Sequence, residues 1–215
     1  MRRVAVAVAV VTLLVALSPP LDAAADHSLS AHMVQHLLLL FIAGPALALS
    51  LCPQPRQAGS RTQGTDGGWW MSVAIAVVVF VVVMVGWHAP VLFDAAVRHK
   101  PLHVLEHVSM VLASMWLWRV LTRDPERRGV AVLALFTTTF PMTVLGVGLL
   151  LSTSPWYASY PDLVDQQVAG ALMWAVGGGI VVAQGVALFV TWLRSSDQPG
   201  AVSWPSSTSA RPTGI

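Results

Sequence analysis

The chain has 215 residues, 55% of them hydrophobic and only 10% charged, with a net charge of +2 and a mean hydropathy of +0.69. Soluble domains carry about 25% charged residues, so this composition indicates an integral membrane protein surrounded by lipid. The few scattered arginines argue against nucleic acid as a partner, and the single cysteine, Cys52, excludes an internal disulfide and any Cys-x-x-Cys metal or redox motif.

Six apolar segments follow in chain order. The first, Val4–Leu17, comes after Arg2 and Arg3 and before Pro19-Pro20 and Ala23-Ala24-Ala25. At about 14 residues it is short for a span. With small residues behind it, it reads either as a signal peptide cleaved after Ala25 or as an uncleaved signal anchor. Five longer segments reach the roughly 20 residues needed to cross a bilayer: Ala31–Leu51, Trp69–Pro90, Leu102–Val120, Val130–Leu151 and Val168–Leu193. Pro45 and Pro141 fall inside spans and predict kinks, and Gly177-Gly178-Gly179 predicts a close helix approach. The Pro53–Gly68 stretch reads as a flexible connection. The expected division is a signal peptide or anchor over 1–25, an all-α transmembrane bundle over 26–194 and a disordered cytoplasmic tail over 195–215.

Basic residues set the orientation. With Arg2 and Arg3 in the cytoplasm, Arg56, Arg61, Arg119, Arg123, Arg127, Arg128, Arg194 and Arg211 also fall inside; only Arg98 and Lys100 fall outside. The flipped arrangement reverses that ratio. The cytoplasmic C-terminus then leaves all seven histidines on the extracytoplasmic side.

Four histidines form two helical pairs, His32-Met33-Val34-Gln35-His36 and His103-Val104-Leu105-Glu106-His107. Residues at i and i+4 share a helix face. His36 and His107 each lie about 7 Å below their helix starts at 1.5 Å per residue. His88 ends the preceding span at the same side, so five histidines converge on one shallow, outward-open site, while His27 and His99 read as interfacial loop residues. Ionisable groups within spans usually serve function, and imidazole suits copper and zinc. Glu106 is placed to orient a histidine as a supporting carboxylate. Met110, on the His103/His107 face, would favour Cu(I) over zinc. Asp94, Asp165, Gln166 and Gln167 add polar groups near the same rim.

At these residues the chain resembles the polytopic CtaG family of cytochrome c oxidase assembly factors. The stretches that carry the resemblance are His32-Met33-Val34-Gln35-His36, Trp87-His88-Ala89-Pro90 with Phe93-Asp94-Ala95-Ala96, Leu102-His103-Val104-Leu105-Glu106-His107, and Asp165-Gln166-Gln167-Val168-Ala169-Gly170 running to Met173-Trp174 and Gly177-Gly178. Together they extend over about 160 residues, from His32 to Leu193. Phe93 stands where the resemblance leads one to expect tyrosine, and family members often have more spans.

The resemblance implies a plasma-membrane protein, not an enzyme, that helps insert copper into the catalytic subunit of a heme–copper oxidase. It implies His32, His36, His88, His103 and His107 as copper ligands, for Cu(I) or Cu(II), supplied by a copper donor protein on the outer side. Two other readings of the same histidines are an intramembrane zinc hydrolase with Glu106 as general base and a b-type haem protein with His36 and His107 as axial ligands.

Overall fold

The computed structural model describes residues 2–51, 66–124 and 127–196. Cys52, most of the Pro53–Gly68 connection and the tail beyond Ser196 lie outside the described residues. Ten α-helices and no strand are found among the described residues: α1 (Arg2–Ala16), α2 (Pro19–Ala25), α3 (Leu29–Leu38), α4 (Gly44–Leu51), α5 (Asp66–Trp87), α6 (Pro90–Arg98), α7 (Lys100–Thr122), α8 (Arg128–Leu151), α9 (Leu163–Ala171) and α10 (Gly178–Ser196). Wider π turns, Leu39–Ala43 and Leu172–Gly177, join α3 to α4 and α9 to α10 without breaking the helix.

Five helical stretches among the described residues are long and apolar enough to cross a membrane: Leu29–Leu51, Gly67–Trp87, Lys100–Thr122, Arg128–Leu151 and Leu163–Arg194. The pair α1 and α2, bent by 50°, makes a sixth if taken as one span. The chain is thus an all-α, multi-pass membrane protein, as its composition predicts. The last span begins earlier than the sequence suggests, because Asp162 caps α9 by accepting from the Val164 and Asp165 amides. The short helices α2 and α6 stand where sequence reading expects loops, and each begins with proline, whose missing N–H costs nothing in a first turn.

The spans form a closed ring. α3/α4 packs on α7, α7 on α5, α5 on α8, α8 on α9 and α10, and α9 returns to α3. α1 lies against α4 on the outside of this ring. Proline acts differently at its two predicted kinks. Pro45 cannot donate to the Phe41 carbonyl four residues back, and the π turn sits at that point. The freed Phe41 carbonyl accepts from Gln184 Nε2 at 2.5 Å, and the neighbouring Leu40 carbonyl accepts from Ser114 Oγ. α8, by contrast, continues unbroken through Pro141.

Glycine contacts also differ from expectation. A Cβ on Gly177 would meet Leu37 and Met142, but one on Gly178 or Gly179 would meet nothing within 4 Å. The tightest α8–α9 crossing is instead made by Gly146 and Gly170. There a Cβ on Gly170 would sit 2.5 Å from the Gly146 carbonyl oxygen and 2.6 Å from the Leu150 amide nitrogen. Backbone cannot yield as a side-chain tip does. Gly170→Ala is expected to cost about 1–3 kcal/mol and lower the thermal midpoint in detergent, while Gly178→Ala leaves it unchanged or slightly raised. Equal midpoints for the two variants would contradict this packing account.

Candidate metal centre

Two helices carry the centre, and local sequence fixes how each begins. α3 starts at an N-cap, Ser28, whose hydroxyl accepts from the Ala31 amide. The Asp165 carboxylate from the last span sits on the same helix end, accepting from the Leu29 and Ser30 amides and from both serine hydroxyls. An anion there complements the helix dipole and exposed amides. α7 starts at Lys100-Pro101. The i, i+4 pairs then face each other across the α3–α7 contact.

His32, His36, Glu106 and His107 each bring one donor atom to a common point, with these atoms within 4.8 Å of one another. His32 Nε2 and His36 Nε2 are 2.9 Å apart. The Glu106 carboxylate is 3.7 Å from the first and 3.5 Å from the second. Ligands about 2.0–2.2 Å from one ion stand about 3.3–3.6 Å apart in a tetrahedron, so the group needs only small adjustments to close on one. His103 stacks on His32 at 5.1 Å between ring centroids and lies 4.3 Å from His107. His88 approaches His36 at 5.6 Å. All five histidines that the sequence singles out therefore meet.

The donor chemistry is unusual for a buried place. None of these residues is more than 7% exposed. Buried polar atoms normally find a partner, and leaving one without costs about 1–3 kcal/mol. Here Nε2 of His88, His103 and His107, Nδ1 of His36 and both Glu106 oxygens have none. His88 Nδ1 lies 2.6 Å from the Met84 carbonyl and must donate to it, which leaves its Nε2 as a bare lone pair. Imidazole nitrogens and carboxylate oxygens gathered with this many of them unpartnered fit a cation. A haem fits poorly, because His32 and Glu106 already cover the coordinating nitrogen of His36.

The family model described as cytochrome c oxidase caa3 assembly factor (Caa3_CtaG) matches residues 1–195. The chain belongs to this family. No curated protein and no solved structure matches it. As a member of a family of assembly factors, it is not an enzyme.

The assembly factor's centre adds detail to the sequence expectation and departs from it in places. Glu106, expected as a supporting group, has its carboxylate among the converging donors. Asp94, Asp165 and Gln166, expected as auxiliary polar groups near the rim, hold the structure around the donors. Asp94 accepts from the Ala158 and Ser159 amides at 3.1 and 2.8 Å, and Gln166 Oε1 accepts from the Trp156 amide at 2.6 Å. Gln167 similarly donates to the Ser152 carbonyl. These bonds pull the 152–162 segment over the histidines, so the site is roofed rather than open and shallow. Met110 is fully buried in the apolar core. His27 and His99 are exposed and stay outside the cluster.

Sequence reading overlooked the roof's aromatic residues. Tyr157 and Tyr160, the chain's two tyrosines, are 1% and 3% exposed. Tyr157 packs on Phe93 at 4.2 Å and donates to the His88 carbonyl. Phe93 in turn lies 4.9 Å from His32. The available signal was that both tyrosines fall in one short polar connection next to the Asp162 cap.

Burial by itself would raise the Asp94 carboxyl, but the hydrogen bonds from Ser159 and Ala158 and the Arg98 charge outweigh it and hold the group below the ordinary carboxylate range. A lowered carboxyl stabilises the fold fully above its unfolded value and loses that contribution as pH falls through the folded one. The roof is therefore latched at neutral pH, and the latch weakens as pH falls below the ordinary carboxylate range. Asp94→Asn is expected to speed amide hydrogen exchange at Ala158 and Ser159 by roughly tenfold, about the worth of one charge-assisted bond, at pH 7. Unchanged exchange at both amides would mean that Asp94 is not the latch.

Proposed function

We propose that this assembly factor binds copper through His32, His36, His107 and Glu106 and passes it to the catalytic subunit of a heme–copper oxidase during assembly. The convergence of three imidazoles and a carboxylate, buried and with several of their polar atoms unpartnered, carries this reading. Copper(II) stands at the top of the affinity order for nitrogen and oxygen sites. One carboxylate offsets part of its charge in a low-dielectric setting, and the absence of thiols among the donors disfavours a soft-metal cage. His88 and His103 present further bare nitrogens beside His36 and His107. They serve as exchange partners, so copper moves by ligand replacement rather than by release into water.

The histidine end faces the extracytoplasmic side of the plasma membrane in this reading. The distribution of basic residues supports it: Arg119 and Arg123 end α7, and Arg127 and Arg128 begin α8, at the end opposite the histidines. Copper then arrives from a donor protein on the outer side, and the roof segment 152–162 opens for loading and delivery.

Metal analysis of the detergent-purified protein tests this directly. The wild type is expected to retain copper, and His36→Ala or His107→Ala to retain roughly tenfold less or worse. Membranes of cells carrying either variant should hold the assembly factor at normal abundance and an oxidase poor in copper. Normal oxidase copper content in both variants would sink the proposal. Zinc in place of copper in the wild type would also overturn it.

A further inference from the structure

The N-terminal segment that resembles a signal sequence is bonded into the centre. α1 packs on α4 through the small-residue stripe Ala9, Thr12 and Ala16, all buried. Arg2 Nε donates to the Ser50 carbonyl at 3.0 Å. Gln35 lies between the two ligand histidines in sequence, is 0% exposed, and donates from Nε2 to the Ala16 carbonyl at 2.9 Å. Asp22 pairs with Lys100 at 2.7 Å at the start of α7. Ala23-Ala24-Ala25 close helix α2, and Ala25 is 1% exposed. Ala23 and Ala24 are exposed, but the run is helical rather than extended and its last residue is buried, whereas proteolysis concentrates in exposed, mobile chain.

The last link reaches a ligand. Tyr160 donates its hydroxyl proton to the Ala25 carbonyl. A phenol has one proton. With that proton committed to Ala25, the Tyr160 oxygen can only accept from His32 Nδ1, 3.2 Å away. His32 therefore carries its proton on Nδ1 and turns the Nε2 lone pair toward His36 and Glu106. Ligand histidines are commonly held this way by a partner on the far ring nitrogen.

We propose that Arg2–Ala25 remains in the mature protein as part of the metal centre, its Ala25 carbonyl fixing the tautomer of His32 through Tyr160. Tyr160 is a positioning residue here, and its role in binding rests on the copper reading above; retention and tautomer do not.

Three measurements on the full-length protein purified from membranes test this. Intact mass should include residues 2–25; a chain beginning at Asp26 overturns the proposal. Nitrogen shifts of 15N-histidine in the metal-free protein should report His32 protonated on Nδ1. In Tyr160→Phe the ring packing is kept and the hydroxyl lost, so His32 should become a mixture of tautomers, while His88, anchored by Met84, keeps its own. Cu(II) affinity of that variant should fall roughly 10–100-fold. An unchanged His32 tautomer in Tyr160→Phe overturns the proposal. If the tautomer shifts but neither chain binds Cu(II), the copper reading fails and the role of the N-terminal segment stands.

Discussion

The centre is governed by one imbalance: many buried polar atoms and too few hydrogen-bond partners to satisfy them. In water an imidazole or carboxylate loses nothing by facing another acceptor, because solvent supplies donors. Inside a helical bundle that supply is absent, and each bare acceptor weakens the fold. The α3–α7 contact tolerates His32, His36, Glu106 and His107 together only because much of the surrounding structure clamps the two helices in place. Asp165 holds the α3 start, Asp94 and Gln166 hold the roof, and α1 and α2 hold the flank. A cation is the one partner that answers several acceptors at once.

Most of the fold was legible because a bilayer imposes few solutions. Backbone polar groups must be satisfied within each span, so long apolar runs become helices. The five full spans follow from that, with ends shifted by a few residues where caps decide. The short helices α2 and α6 were not legible. Each has fewer than ten residues and starts at proline, and sequence signals for such elements resemble those for turns.

The ligand helices were legible through their spacing. Two imidazoles at i and i+4 stand on one face of an apolar helix, and that face must turn toward polar groups inside the bundle rather than toward lipid. Depth below the surface was not legible. It depends on what covers the helix ends, and the cover comes from the 152–162 connection, which has almost no regular structure. Polar residues near a rim look alike in sequence whether they face a metal or a backbone amide. Asp94 and Asp165 turned out to serve amides, and Glu106 to join the donors. Only tertiary contact separates these roles.

The cap on α3 has a consequence for how the protein is made. Asp165 and the serines it binds are separated by some 135 positions in the chain, as are Tyr160 and Ala25. A nascent chain emerges from its amino end, so both ligand helices are in place before the segments that lock them have been synthesised. Until the final span inserts, the start of α3 lacks its anion and the roof does not exist. Completion of the metal centre is thus tied to completion of the chain, and a truncated product would display histidines without the enclosure that organises them.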